Sequence, residues 1–213
     1  MFYIFIFTLL CGIIPFIFFK IQKDKFLNKE IFFIEPFIML VFFGSIYELV
    51  GSLYFKWKVN YWFITYNLLS YATIFYFYFK ILNSKYKYLF LFFGLGILFL
   101  FLSIAIKYTI DDFFLFNYQF KLIQTIFILV FSFLWFRQVF KQLKVVSLIE
   151  NSIFFIISGL ILYYCGTFFL FLVANHVYLI NKSLLSDYWF INLIFNIVLD
   201  TFLIISIWKA RMR

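Results

Sequence analysis

Gly44-Ser45-Ile46-Tyr47-Glu48-Leu49-Val50-Gly51-Ser52 is the stretch that decides the fold, because it places an ionisable side chain inside a long apolar run. On an α-helix, residues three and four positions apart share a face, so Glu48 lies on one strip with Gly44, Ser45, Gly51 and Ser52. Small residues allow another helix to approach closely, and acids within a membrane usually face the interior of a bundle. The stretch therefore predicts a membrane helix with a packed, polar face.

The composition of the whole chain agrees with this interpretation. Apolar residues make up 67% of the 213 residues, and the mean hydropathy is +1.06. A soluble domain has closer to half apolar residues, because its surface must be wetted by water. Most of the surface of this protein is therefore expected to face lipid.

Seven apolar runs are long enough to cross a bilayer as helices, which takes roughly 20 residues. They span approximately residues 2–19, 31–55, 61–82, 88–106, 119–140, 152–175 and 189–209, and the connections between them are short and polar. The start of the chain lacks a basic segment and a small-residue cleavage site, so the first run is expected to be retained as a helix. We predict a single domain, residues 1–213, that is an all-α integral membrane bundle of seven transmembrane helices.

The basic residues predict the orientation of this bundle in a bacterial inner membrane. Cytoplasmic loops are enriched in Lys and Arg. One side of the predicted bundle collects Lys20, Lys23, Lys25, Lys29, Lys80, Lys85, Lys87, Arg137, Lys141, Lys144, Lys209, Arg211 and Arg213, and the other has only Lys56, Lys58, Lys107, Lys121 and Lys182. The N-terminus is therefore expected outside and the C-terminus in the cytoplasm. The net charge of +9 is then explained by the basic cytoplasmic loops and their contact with the lipid bilayer, and it does not indicate a protein that binds nucleic acid.

Polar residues recur within the predicted spans. Asn192, Asn196 and Asp200 are spaced every four residues and form one stripe on the last helix, and Asp200 lies about 16 Å below Trp189 at 1.5 Å per residue. Placing a carboxylate at the centre of a bilayer costs about 3 kcal/mol on insertion scales. The Asp200 side chain is therefore expected to face the interior of the bundle. No Lys, Arg or His lies in the middle of any predicted span, so an internal salt bridge is not expected.

These residues lead to the prediction of a polar pocket that opens to the outer side. Its predicted members come from the second, third, sixth and seventh spans: Glu48, Tyr66, Asn67, Tyr164, Asn192, Asn196 and Asp200. The alternative is that they only hold the helices together, at about 1 kcal/mol or less for each hydrogen bond. The small residues Gly44, Ser45, Gly51 and Ser52 form a helix-packing shelf that suits a contact within the chain or with a partner.

The residues of the chain support no catalytic constellation. The single His176 lies near a helix end, so a zinc site built on several histidines is not available and no metal site is predicted. The chain has no Gly-x-Ser-x-Gly elbow and no phosphate-binding glycine loop. We therefore expect no enzyme activity and no cofactor.

Three segments resemble a group of small seven-helix membrane proteins of Bacteroidota. They are Tyr61-Trp62 through Tyr66-Asn67-Leu68-Leu69, Phe154–Val173 with its Tyr163-Tyr164 pair, and Trp189–Asn196. The resemblance covers the last three-quarters of the chain. Members of that group are often encoded beside two-component histidine kinases, so the resemblance implies a sensory or signalling module, and it implies no residue roles.

Three functions are left open by the sequence. The first is a non-enzymatic, receptor-like or accessory signalling protein that acts through a partner such as a histidine kinase, since the chain ends soon after its last predicted helix. The second is a structural subunit of a larger membrane complex. The third is a small proton-coupled transporter that uses Glu48 and Asp200, although neither an inverted repeat nor an interrupted helix is evident.

Overall fold

The structure of the protein is a computed structural model, and it describes residues 2–52, 55, 59–82, 86–107, 113–142, 148–180 and 182–211. Side chains are described within these ranges, except at 2, 52, 59–61, 103–107, 113–118, 142, 174–175, 177–180 and 182–188. Within this part of the chain the secondary structure is helical, with short turns and no strand. The prediction of an all-α chain is confirmed for the described residues.

The described chain forms seven α-helices. They are α1 (Phe2–Gln22), α2 (Glu35–Ile46), α3 (Val59–Leu82), α4 (Lys87–Lys107), α5 (Phe113–Gln142), α6 (Ser152–Ile180) and α7 (Lys182–Arg211). Short 3-10 turns lie at Lys23–Lys25, Lys29–Ile34 and Leu148–Glu150, and a π-helical turn, Tyr47–Ser52, continues α2.

Several helices extend into segments that hydropathy assigned to polar connections. Helix α5 begins at Phe113, α6 continues to Ile180, and α7 already begins at Lys182. Hydropathy marks the part of a helix that is apolar enough for lipid, whereas backbone preferences and caps decide where a helix ends. Residues 113–118, 176–180 and 182–188 contain neither Gly nor Pro, so their sequence is compatible with the helices that include them.

Five helical segments have the length and composition of membrane spans, which makes this a multi-pass membrane protein. They are Tyr3–Lys25, Lys29–Gly51, Gln119–Lys141, Ser152–Val173 and Trp189–Arg211, and Lys87–Leu102 is a shorter apolar helix. Large apolar side chains are exposed along these helices, among them Phe92 and Phe99 on α4. Such exposure is expected where lipid replaces water as the solvent.

Helices α6 and α7 form the most extensive helix pair. A Cβ atom at Gly159 would lie 2.7 Å from the Cβ atom of Phe202, and a Cβ at Gly166 would overlap the ring of Phe195. Glycines at such contacts allow two membrane helices to approach closely. A second group of contacts joins α3, α4 and α5 through aromatic rings, with centroid distances of 4.2 Å for Phe90–Phe131 and 5.7 Å for Phe75–Phe127.

The connection between α1 and α2 is fastened to the ends of α6 and α7. The backbone amides of Leu27 and Asn28 donate to the Ala210 carbonyl at 3.2 and 3.4 Å. The Asn28 side chain accepts from the Glu30 amide at 2.9 Å and donates through Nδ2 to the Ser152 hydroxyl at 3.0 Å. One short polar segment therefore links four helices at the end of the bundle that the basic residues predict to be cytoplasmic.

Two ion pairs support the same connection. Lys20 and Lys23 place their ammonium groups 3.0 and 3.3 Å from Oε1 of Glu35. Both lysines are more than two-fifths exposed, so these pairs are expected to contribute less than about 1 kcal/mol each. The hydrogen bonds of Asn28 are therefore the more informative target at this end of the bundle.

Replacing Asn28 by alanine is expected to lower the free energy of unfolding by about 1 kcal/mol, because the Glu30 amide loses its cap and Ser152 loses a hydrogen-bond partner. Asn28→Asp is the matched control, since it keeps the capping oxygen and removes only the amide donor. Titration with a denaturing detergent in mixed micelles measures both variants. If Asn28→Asp lowers the free energy of unfolding as much as Asn28→Ala does, the cap on the Glu30 amide contributes nothing to stability.

Candidate functional site

A cavity of about 110 Å³ lies within the bundle. Its wall is built largely from the N-terminal halves of α1, α3 and α5, from the N-terminal half and middle of α7, from the C-terminal part of α2 with its π-helical turn, and from the middle and C-terminal half of α6. Because consecutive helices run in opposite directions, these parts meet at one end of the bundle. That end is opposite the connection held by Asn28.

The sequence-predicted pocket residues all lie on the wall of this cavity. They are Glu48, Tyr66, Asn67, Tyr164, Asn192, Asn196 and Asp200. Four different helical elements therefore bring these residues together. The first and the last of them, Glu48 and Asp200, are more than 150 positions apart in the chain. The α7 stripe of Asn192, Asn196 and Asp200 faces the cavity as a unit, as a spacing of four residues requires.

Glu48 lies in a π-helical turn rather than in a regular α-helix, which corrects the helical geometry assumed from the sequence. A π-turn has i→i+5 hydrogen bonds and is often found at functional sites. The wider turn changes which neighbours share the Glu48 face. Gly44 and Ser45 line the cavity with Glu48, whereas Gly51 is buried away from it, and the Ser52 side chain lies outside the described residues.

Gly44 and Ser45 pack against helices of the same chain. A Cβ atom at Gly44 would lie 2.9 Å from Cε2 of Tyr66 on α3, so only glycine fits beneath that ring. Ser45 is buried, and its hydroxyl occupies the space beside Gly12 of α1. This half of the predicted helix-packing shelf therefore serves an internal contact, and it also sets the distance between Tyr66 and the Glu48 turn.

The α7 wall carries two deeply buried polar groups of the site. Asp200 is 4% exposed and Asn192 is 7% exposed. Within the described part of the chain, the Asn192 side-chain oxygen has no hydrogen-bond partner. A buried amide oxygen without a partner costs about 1–3 kcal/mol, so it is a preferred acceptor for a donor that enters the cavity.

Lys121 also lies on the cavity wall, and sequence reasoning missed it. The sequence places this residue at the outer edge of its span, whereas the structure buries it to 5% exposure. The reason is the start of α5 at Phe113, which places Lys121 about two turns inside the helix. The sequence analysis counted Lys121 only among the basic residues of the outer side, and the structure instead places its side chain on the wall of the cavity.

Aromatic rings surround the Lys121 ammonium in this part of the structure. Its Nζ atom lies 4.8 Å from the ring centroid of Tyr164, 5.5 Å from that of Phe171 and 5.6 Å from that of Tyr163. A cation over an aromatic face gains about 2 kcal/mol when both are desolvated. The rings therefore offset part of the cost of burying the charge and hold the ammonium at the cavity.

A buried hydrogen-bond network continues from the cavity wall into the core. Nε2 of Gln124 donates to the Tyr164 hydroxyl at 2.7 Å and to the Ser70 hydroxyl at 3.1 Å, and Ser70 donates to the Asn67 carbonyl at 2.9 Å. Gln124 has no exposed surface. The network fixes Tyr164, and with it one ring beneath Lys121, by contacts among α3, α5 and α6.

The size and the polar groups of the cavity indicate what could occupy it. Among the residues that the structure describes, no group of three or more His, Cys, Asp or Glu side chains lies close enough to hold a metal ion. A cavity of about 150 Å³ accommodates benzene, so this one has room for a smaller solute or a few water molecules. Two carboxyl groups, one ammonium and several amides surround that space.

No family model, curated protein or solved structure matches the chain. The resemblance to the seven-helix proteins of Bacteroidota therefore stays a prediction.

Proposed function

We propose that the chain is a seven-span protein of the bacterial inner membrane that binds a small polar solute in its cavity and acts as a receptor-like or accessory signalling module. The observation that carries the proposal is the cavity wall, where Glu48, Asp200 and Lys121 surround a common space. Ionisable side chains within a membrane bundle usually mark a pathway or a ligand site, because they are costly to keep for structure alone.

The distribution of basic residues supports an outward-facing cavity. With α3 and α4 counted as spans beside the five longer apolar segments, the end of the bundle near Asn28 collects most of the Lys and Arg residues. This end belongs in the cytoplasm by the positive-inside rule. The cavity then lies in the outer half of the membrane, where a solute from outside the cell has access to it.

A signalling role requires a partner, and a membrane-embedded histidine kinase is the partner that we propose. Helix faces and the basic connections at Lys20–Lys29 and Arg137–Lys144 are the surfaces available for it at the cytoplasmic end. No enzyme activity or cofactor forms part of the proposal. The alternative of a purely structural subunit is less favoured, because Gly44 and Ser45 already pack against α1 and α3.

Proton-coupled transport is the second candidate, and the burial of Asp200 and Lys121 in one cavity favours it over the structural role. Ionisable groups inside a bundle commonly serve proton relays in transporters. Both candidates require solute access to the cavity, and they differ in whether the solute crosses the membrane. A test of access and a test of uptake therefore distinguish them.

Asn196→Cys, in a chain with Cys11→Ala and Cys165→Ala, is expected to react from the outside with a small membrane-impermeant thiol reagent, because residue 196 lines the cavity. Arg211→Cys, at the opposite end of α7, is the matched control and is expected to react only after the membrane is permeabilised. Labelling of intact spheroplasts and of inverted vesicles measures both. Reaction of residue 196 only from the cytoplasmic side would contradict the proposed orientation.

Uptake measurements in proteoliposomes that contain the protein then distinguish a receptor from a transporter. A receptor-like protein is expected to bind a solute without accumulating it inside the vesicle, with or without a proton gradient. Gradient-dependent uptake that is abolished by Glu48→Gln with Asp200→Asn would identify a transporter instead. Crosslinking in native membranes, followed by mass spectrometry, tests for the kinase partner on the receptor side.

A further inference from the structure

The end of α7 and the connection between α1 and α2 bring basic residues from distant parts of the chain to one place. The backbone amides of Leu27 and Asn28 donate to the Ala210 carbonyl, so the two segments are in direct contact. Four basic residues lie within two positions of this contact, which is at most about 7 Å along the chain. They are Lys25, Lys29, Lys209 and Arg211, and we call them the basic cluster.

The basic cluster is not neutralised by acidic side chains within the described part of the chain. Glu35 is paired with Lys20 and Lys23. Asp24 and Glu30 are exposed in the same connection, and neither forms an ion pair with a described basic residue. The basic residues of this region outnumber the acidic ones, so its net charge is positive.

Lys209 lies on the lipid-facing side of α7. Its Nζ atom is 5.5 Å from the ring centroid of Trp208, and that side chain is 43% exposed. Trp residues are enriched at the surface of the bilayer, where the ring is at the level of the headgroups. The ammonium group of Lys209 is therefore held where a lipid headgroup can reach it.

An exposed apolar strip on α1 leads to the basic cluster. Ile14, Ile17 and Ile21 recur at spacings of three and four residues on one face of the helix, and all three are exposed. Leu27, in the connection that follows, is 65% exposed. Helix α1 packs against α7, so this strip and Trp208 belong to neighbouring helices. Apolar residues within the membrane and basic residues at its edge match the polarity of a phospholipid.

We infer that the basic cluster binds the phosphate group of an anionic phospholipid whose acyl chains lie along the α1 strip. Arg binds phosphate through two parallel hydrogen bonds, and Lys binds it as a point charge. The negative end of the α7 dipole opposes an anion, but the Ala210 carbonyl is already occupied by the amides of Leu27 and Asn28. The site lies at the end of the bundle opposite the cavity, so it goes beyond the proposed solute binding.

The apolar residues beside the cluster favour a lipid over a soluble anion. A free phosphate ion contacts only the basic side chains, and exposed charge pairs of this kind contribute little. A phospholipid adds contacts between its acyl chains and the α1 strip. Basic sites between membrane helices on the cytoplasmic side are known to bind anionic headgroups, which supports this choice.

Native mass spectrometry of the full chain in a mild detergent tests the inference, by titration with phosphatidylglycerol, phosphatidylethanolamine of the same acyl chains, or glycerol phosphate. The first phosphatidylglycerol is expected to bind at least about tenfold more tightly than phosphatidylethanolamine, whose amine is repelled by the basic cluster. Equal affinities of the two lipids would overturn the inference. Glycerol phosphate that binds as tightly as phosphatidylglycerol would identify a site for a soluble phosphate and would also overturn it.

Lys209→Gln with Arg211→Gln is expected to weaken phosphatidylglycerol binding by about 30-fold, at about fivefold for each basic residue. Arg137→Gln with Lys141→Gln is the matched control, because it removes the same residue types from exposed positions near the C-terminal end of α5. The control is expected to change the Kd by less than about threefold. Equal losses in the two double variants would show a general attraction of anionic lipid to this end of the bundle, and no site.

Lys25→Gln with Lys29→Gln tests the other half of the basic cluster. Both side chains are exposed, so the variant is expected to fold, and gel filtration verifies this for every variant. A loss of phosphatidylglycerol binding similar to that of the α7 variant is expected, because both segments contribute to one site. Unchanged binding would contradict a site shared by the two segments. None of these measurements involves the cavity, so their outcome is independent of the proposed solute binding.

Discussion

Replacing Gly159 by valine is expected to lower the free energy of unfolding by about 3 kcal/mol, a large loss for a single substitution. A Cβ at this position would lie 2.7 Å from Cβ and 3.3 Å from Cγ of Phe202. The Cβ atom of Phe202 is fixed to its backbone, so a rotamer change of the ring does not relieve this contact. Helices α6 and α7 must instead move apart, and their packing contacts are lost.

Gly96→Val is the matched control for that substitution. A Cβ at Gly96 meets no atom within 4 Å, and this glycine also lies within an apolar helix, α4. Its replacement is expected to change the free energy of unfolding by less than about 0.5 kcal/mol. Detergent titration in mixed micelles measures both variants, and similar losses at the two positions would show that close α6–α7 packing is not the cause.

The same contact positions the proposed site. Helix α6 supplies Tyr163 and Tyr164 to the cavity, and α7 supplies Asn192 and Asp200. A wider separation of these helices therefore moves the rings beneath Lys121 away from the acidic wall. Gly159→Val is expected to weaken binding of any cavity ligand together with stability, whereas Gly96→Val leaves both unchanged.

The all-helical fold and the membrane class were predictable because they depend on composition and run length. Long apolar runs with few charges have few alternatives to a buried or lipid-facing helix. The α7 stripe was predictable for a similar reason, since Asn192, Asn196 and Asp200 are four residues apart within one uninterrupted helix. In these cases a local pattern determines the outcome.

Lys121 could not be predicted, because its position depends on where α5 begins. A lysine near the end of an apolar run is typical of an anchor at the membrane surface. Its burial follows from the extension of α5 to Phe113 and from the rings that α6 places beside it. The π-helical turn at Glu48 is a second case, since Tyr47–Ser52 carries no local signal that distinguishes it from an α-helix. Both features arise from contacts between helices.

Gln124 shows how such contacts connect the cavity with the core. Its side-chain nitrogen donates to one hydroxyl on α3 and to one on α6, Ser70 and Tyr164. The three residues come from separate helices and share no sequence pattern. Because Tyr164 also lies 4.8 Å from the Lys121 ammonium, the network holds the ring that faces the charge.

Replacing Gln124 by leucine is expected to lower the free energy of unfolding by about 2 kcal/mol. Hydrogen bonds between membrane helices contribute about 0.6 kcal/mol on average, but a buried hydroxyl that loses its partner costs about 1–3 kcal/mol. Ser70 keeps its bond to the Asn67 carbonyl, so the loss falls mainly on Tyr164, whose hydroxyl then retains only its contact with Ser70. The Gln124 carbonyl oxygen has no partner among the described residues, and its removal limits the total loss.

The triple variant Gln124→Leu, Ser70→Ala and Tyr164→Phe is the control for this loss, measured by the same detergent titration. Replacing all the partners of a buried network by apolar groups of similar shape is nearly neutral, because no polar group is then left without a partner. The triple variant is therefore expected to be more stable than Gln124→Leu alone. If its loss equals the sum of the three single losses, the residues act independently. The stability of this region would then come from packing, and Tyr164 would be held beneath Lys121 by shape alone.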